Sequence, residues 1–201
     1  MLVDMSTVSP DTSRMLAEAV SGRFVDAPIL GAPAAVLERR AILLLGGDAA
    51  MLERLTLLFE DLAARQIHCG PVRFGETVKA VANLPLIGQL SVLAEVVVTA
   101  QANGVSDDLP ATLGRLPVVP PALHIRLDDV IHGDHSGWFT MRLGRKDLGL
   151  AHTLGSRAGL QLELTETVER LFDRAINAGF ADRDIAAIVE SVRARRAPVP
   201  T

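Results

Sequence analysis

Residues 75–103 read GETVKAVANLPLIGQLSVLAEVVVTAQAN, and the folding of this stretch decides how the rest of the chain is organised. Val78, Val81, Leu86, Leu90, Leu93, Val97 and Ala100 recur near helical spacing, which predicts one long helix from Thr77 to Asn103. Ile87, Val92, Val96 and Val98 fill other faces, and a helix apolar nearly all round is a buried one. Asn103-Gly104 is a good stop signal, because both residues tolerate the left-handed conformation that ends helices. Pro85 lies inside the stretch and is expected to kink it, since it lacks an N–H and crowds the preceding turn. Near the start, Lys79 and Asn83 stand four residues apart, on one face and one turn from each other.

On the N-terminal side the pattern alternates. Leu2-Val3-Asp4-Met5 reads as a strand, followed by Ser-Pro-Asp punctuation and a helix over about 12–21. Arg23-Phe24-Val25-Asp26 is a second strand, ended by Pro28. Ala41 to Leu45 is a third, closed by Gly46-Gly47-Asp48, and Asp48 can cap a helix running to about Arg65. Gln66-Ile67-His68 is a candidate fourth strand. This alternation predicts an α/β layer. A strand opening at residue 2 looks like the middle of a sheet, and an exposed parallel edge there favours association. On the C-terminal side, helices are expected over about 107–116, 145–157, 165–178 and 182–195, with a loop through Pro117, Pro120 and Pro121. The boundary falls near residue 72, giving a sheet-bearing part over 1–71 and a helical part over 72–201.

Composition narrows the function classes. The 201 residues suffice for one large domain or two small ones, with cores of Leu, Val, Ile and Ala, since there is one Trp and no Tyr. The longest unbroken apolar runs, such as Ala41 to Leu45, fall short of the roughly 20 residues a membrane span requires, so no membrane partner is expected. The formal charge of −4 contains no long block of one sign. Arg193, Arg195 and Arg196 sit at the tail of an expected helix, where cations suit the dipole, so no nucleic-acid partner is expected. A single cysteine, Cys69, excludes an intrachain disulfide and a cysteine-based zinc site, and reads as a core residue. No basic leader precedes the first strand, which makes a cytoplasmic protein the expectation. His132-Gly133-Asp134-His135 concentrates two imidazoles and a carboxylate, but reads as a polar loop, and no metal site is expected.

The chemistry centres on Lys79. A lysine held in an otherwise apolar helix is partly desolvated, which disfavours its charged form and brings its pKa toward working pH. Such a group can give a proton to a carbonyl oxygen as hydride reaches the carbon, or take it in reverse. Asn83 could donate its amide N–H to the same oxygen or orient the lysine. The spacing fits equally a lysine whose ammonium snorkels to solvent. Ser6 and Thr7 follow the first strand, at the end where α/β sheets place ligands; the same pair could serve as helix-capping residues. No G-x-G-x-x-G or G-x-x-x-x-G-K-[ST] occurs, so no phosphate-cradling loop can be assigned.

Four segments in order carry a family resemblance. They are Val3-Asp4-Met5-Ser6-Thr7-Val8-Ser9-Pro10; Phe24 to Ala32, followed by Leu44-Leu45-Gly46-Gly47-Asp48; Gly75 to Asn83, continued by Leu93-Ala94-Glu95 and Ala102-Asn103-Gly104-Val105; and Trp138-Phe139-Thr140 with Lys146-Asp147-Leu148-Gly149-Leu150-Ala151. Together they resemble the β-hydroxyacid dehydrogenases of the 3-hydroxyisobutyrate dehydrogenase type, without the part that carries the glycine-rich nucleotide loop. The resemblance implies a partial Rossmann-like sheet layer over 1–71, then a 6-phosphogluconate-dehydrogenase-like helical and dimerisation domain over 72–201 with a long central helix. It implies Lys79 as catalytic acid/base, Ser6, Gly31 and Asn83 as substrate-binding residues, and Thr7 and Lys146 on the side of an NAD or NADP cofactor. Lys146 is expected in a first helical turn. The implied activity interconverts a small 3-hydroxy acid and its semialdehyde, in a homodimer or tetramer. The alternative is a catalytically inactive dimerisation module of the same family, and the chain alone is expected to bind NAD(P) poorly. This sequence departs from the family in Leu30-Gly31-Ala32, where a Ser-Gly-Gly run is usual, in Arg39-Arg40-Ala41 for a Gly-x-Leu, and in Ala82 for one of two adjacent asparagines.

Overall fold

Six aliphatic or small residues, Ala41–Gly46, form the strand on which the N-terminal part is built. The computed structural model describes residues 1–105 and 108–195. The chain divides into two compact units, residues 1–83 and 84–201.

In the first unit, β1 (Leu2–Asp4) leads through α1 (Pro10–Ala19) to β2 (Phe24–Asp26) and β3 (Ile29–Leu30). Then come α2 (Pro33–Leu37), β4 (Ala41–Gly46), α3 (Ala49–Glu53), α4 (Thr56–Leu62), β5 (Ala63–Gly70) and the start of α5 (Phe74–Ala102). β1 pairs parallel with β2, and β4 pairs parallel with β5. β2 and β3 both run antiparallel to β4, pairing Asp26 with Gly46, Ile29 with Leu43 and Leu30 with Ile42 in one unshifted register. The α/β layer is thus a mixed sheet, because residues 24–30 lie antiparallel beside β4 without a long crossover. Val25, Ala27, Leu43, Leu45, Leu52 and Phe59 make its core.

Several element bounds differ from expectation. α1 starts at Pro10, with Ser9 as its cap accepting from Thr12 N–H at 3.0 Å. The helix expected to run to Arg65 is two short ones, broken at Arg54-Leu55, and it stops at Leu62 because residues 63–70 join β4 as an eight-residue strand. Most β5 side chains are exposed or half-buried, so backbone pairing rather than an apolar pattern holds it. Cys69 lies in this strand half-exposed, not in the core, with its thiol directed at Ile67 O.

The second unit packs α6 (Leu109–Gly114), α7 (Pro121–His124), α8 (Leu127–His132), α9 (Met141–Arg157), α10 (Glu163–Ala175) and α11 (Ile188–Arg193) around the inner face of α5. α5 runs unbroken through Pro85 for 29 residues. Ile87, Leu90, Ala94 and Val97 are buried, but Val92 and Val96 are 55% and 41% exposed, so the helix is not buried all round. Among the described residues it is long and apolar enough to cross a membrane by length and composition alone. α9 begins at Met141, four residues before the expected start, because Thr140 Oγ1 accepts from Leu143 N–H and caps it. α10 continues into a π-helical turn over 176–180 that ends where Gly179 takes φ +98°. Asp107, in the helix expected from there to 116, and Arg196, in the terminal arginine cluster, lie outside the described residues.

Candidate active site

Asp26 closes β2 and is wholly buried. Its carboxylate accepts from the N–H groups of Arg73 at 2.7 Å and Glu76 at 3.0 Å, so it caps the N-terminus of α5 from another strand. Burial pushes its pKa above the usual carboxylate value, against the backbone N–H groups that lower it. Gly75 allows this approach: a Cβ there would stand 2.5 Å from Leu44 O and 2.8 Å from Asp26 Oδ2. A Cβ at Gly46 would likewise collide with the Asp26 carboxylate.

The first three turns of α5 then carry Glu76, Lys79 and Asn83 on one face. Glu76 is fully buried, and Lys79 and Asn83 are 8% and 5% exposed. Glu76 Oε2 accepts from Val8 N–H at 3.2 Å, which fastens the loop after β1 to the first turn of the helix. That loop holds Ser6 and Thr7. Ser6 is exposed, and its N–H and hydroxyl both donate to Asp4 Oδ1, at 3.0 and 2.7 Å. Thr7 is half-buried, one residue from the tie at Val8. Neither caps α1, since Ser9 does.

Gly31 follows β3, takes φ +147°, and packs so closely that an added Cβ would stand 3.1 Å from the Ala35 Cβ. It lies on the order of 15 Å along the extended chain from Asp26. Lys146 belongs to the second unit and stands in the second turn of α9, not the first as expected, because the helix starts earlier. Its ammonium meets the buried Asp147 Oδ1 at 2.9 Å. The polar loop's two histidines part company. His132 faces Asp128 at the surface, whereas His135 is buried between Asp129 and Glu190. Among the described residues, no group of three metal-ligating side chains converges.

Lys79, Asn83 and the Ser6-Thr7 loop thus share the first unit with two acids that sequence reading passed over, Asp26 and Glu76. A signal for Asp26 existed: an acid ending the apolar run Phe24-Val25 needs a partner if the strand is buried. For Glu76 there was only a helical offset of three from Lys79, because its link to Val8 spans 68 residues of sequence.

Residues 74–192 match the family described as NAD-binding of NADP-dependent 3-hydroxyisobutyrate dehydrogenase. The chain belongs to the 3-hydroxyisobutyrate dehydrogenase family. Within this dehydrogenase family, residues 1–70 match the NAD binding domain of 6-phosphogluconate dehydrogenase. The chain is similar to glyoxylate/succinic semialdehyde reductase 1 of Arabidopsis thaliana, 27% identical over 96% of this chain and 68% of the relative. The solved 3-hydroxyisobutyrate dehydrogenase of Mycobacterium tuberculosis, with L-serine, superposes with a TM-score of 0.82 at 25% identity, covering 95% of this chain and 69% of that one. The corresponding Salmonella typhimurium structure gives 0.88 at 22% identity over 94% and 68%, which shows the shared fold. The chain spans 62% to 70% of the length of curated relatives it matches.

The dehydrogenase family implies NAD(P), and the donor set here fits one end of it. Thr7, one residue from the tie between Val8 and Glu76, would bring a hydroxyl, and Lys79 and Asn83 an ammonium and an amide, groups of the kind a nicotinamide with its carboxamide can accept. The 201 residues hold no glycine loop of the kind that cradles a diphosphate.

Proposed function

We propose that this chain serves the NAD(P)-dependent interconversion of a small 3-hydroxy acid and its semialdehyde, with Lys79 as general acid/base. One observation carries the reading: Lys79 and Asn83 are buried one turn apart on α5, beside a loop tied to that helix through Glu76. Holding such groups out of water is costly unless they serve partners.

Bound NAD(P) accepts or supplies the hydride. As hydride leaves the carbinol carbon, the hydroxyl oxygen must lose its proton, and Lys79 Nζ takes it; in the reductive direction Nζ returns it to the carbonyl oxygen. Asn83 holds that oxygen by its amide N–H. Ser6 and the Gly31 N–H receive the substrate carboxylate, Ser6 by turning its hydroxyl away from Asp4, and Thr7 serves the cofactor, a role the family resemblance gives to Lys146 as well. Leu30 brings no hydroxyl to the carboxylate, so this site is less polar than the family's usual one.

The names of the relatives support small oxo and hydroxy acids as the class, glyoxylate, succinic semialdehyde and L-serine among them. The chain acts as a cytoplasmic homodimer or tetramer built on the helical unit over 72–201, in which Val92, Val96, Val118 and Leu164 leave an apolar face exposed. The test is a panel of 3-hydroxy acids offered with NAD and with NADP to the protein expressed from its own gene, followed by nicotinamide absorbance. Turnover of acids with hydroxyl and carboxyl on alternate carbons is expected. Turnover of simple alcohols but not of these acids would refute the reading.

A further inference from the structure

Glu76 is the only carboxylate in the first three turns of α5, and it is wholly buried. Two connections start from it. One is the hydrogen bond from Val8 N–H to Oε2 at 3.2 Å, next to Thr7. The other is the helix itself, which places Glu76 and Lys79 three residues apart, about 5–6 Å between Cβ atoms. A fully buried carboxylate is stable as an anion only where hydrogen bonds and a cation support it. Lys79, also buried, stands where such a cation would.

We infer that Glu76 is a positioning residue that couples the two sides of the site, fixing the Thr7 loop by its hydrogen bond and holding the proton on Lys79 by its charge. This rests on the reading of Lys79 as acid/base and extends it to a residue that itself touches neither substrate nor cofactor. An opposite charge within about 4–6 Å favours the ammonium form, and removing it lets the lysine release its proton at lower pH. The other charged groups near this end of the helix include Asp26, which accepts from Glu76 N–H, Arg73 before the first turn with Arg14 and Glu18 beside it, and Asp4 at the start of the loop. Arg73 and Arg14 oppose the effect of Glu76, and Asp26, Asp4 and Glu18 add to it, so the Glu76 contribution is read by changing Glu76 alone.

Two substitutions separate charge from tether. Glu76→Gln keeps an oxygen for Val8 N–H but removes the charge. Glu76→Asp keeps the charge but draws it back by one methylene, away from Val8. In oxidation of a 3-hydroxy acid, kcat rises with pH as Lys79 loses its proton. Glu76→Gln is expected to move that rise toward acid by roughly one to three pH units, with KM for the dinucleotide near the wild-type value. Glu76→Asp is expected to leave the rise within about half a pH unit of its place and to increase the dinucleotide KM severalfold. A folded Glu76→Gln protein with an unmoved profile overturns the inference. If that variant does not fold, a Glu76→Asp protein with wild-type KM overturns it instead. Lys79→Ala with its profile and turnover intact would defeat the underlying acid/base reading, an outcome distinct from either.

Discussion

Asp26 joins two elements through a charge that it keeps out of water. Its carboxylate receives the first N–H groups of α5, and Gly46 and Gly75 leave the space it occupies. Because burial raises its pKa above the 3.8 of an unperturbed aspartate, the folded state binds this proton more tightly than the unfolded chain. The stability it contributes is complete below that unfolded value and is lost as pH rises through the raised folded one. Urea unfolding of wild type and Asp26→Asn should therefore show a stability difference, wild type minus variant, that shrinks from about pH 4 upward. A difference that grows with pH would contradict this origin. Lys79 and Asn83 could be singled out from sequence because helical spacing is local. Asp26 and Glu76 could not, because what gives them meaning is a contact between residues about 50 or more positions apart.

Among the elements, α5 was legible because its apolar residues recur over eight turns; it departs from the reading in its exposed Val92–Val96 face and in starting at Phe74 and not Thr77. The second half of the sheet was not. β5 carries His, Gln and Arg at the surface, and its strand character comes from hydrogen bonds to β4 that no side-chain period records. The reversal between β3 and β4, through α2, is equally silent, since nothing in the sequence marks residues 24–30 as one extended run lying antiparallel against β4. α7 and α8 are too short for periodicity to show, and prolines open α7. α9 illustrates how one cap moves a boundary. Thr140 accepts from Leu143 N–H at 3.3 Å and recruits Met141 to Gly144 into the helix. Thr140→Ala should cost about 1 kcal/mol by chemical denaturation; an unchanged midpoint would show that the turn stands without its cap.

At the scale of the whole molecule, two units meet different needs. The first gathers Asp26, Glu76, Lys79 and Asn83, all buried, around the start of α5; the second has the larger aliphatic core, with buried polar groups of its own such as the Arg126–Asp184 pair. That second unit bears a cavity of about 630 Å³ lined by Val92, Val96, Leu116, Val118 and Leu164, among others, with no charged residue in its wall. Such a surface suits a second copy of the chain. Val96→Lys is expected to shift the protein toward monomer in sedimentation, whereas an unchanged assembly would place the contact elsewhere. The family assignment accounts for the order of elements, and Leu30 and Ala32 depart from the family's usual run in the loop proposed to receive the substrate carboxylate. The most direct test of the account is the kcat of Lys79→Ala in hydroxy-acid oxidation by the protein expressed from its own gene. Loss of general acid/base catalysis predicts a fall of about a hundredfold or more, with the pH dependence of the wild type gone. Turnover within a few-fold of wild type would show that the proton moves through some other group.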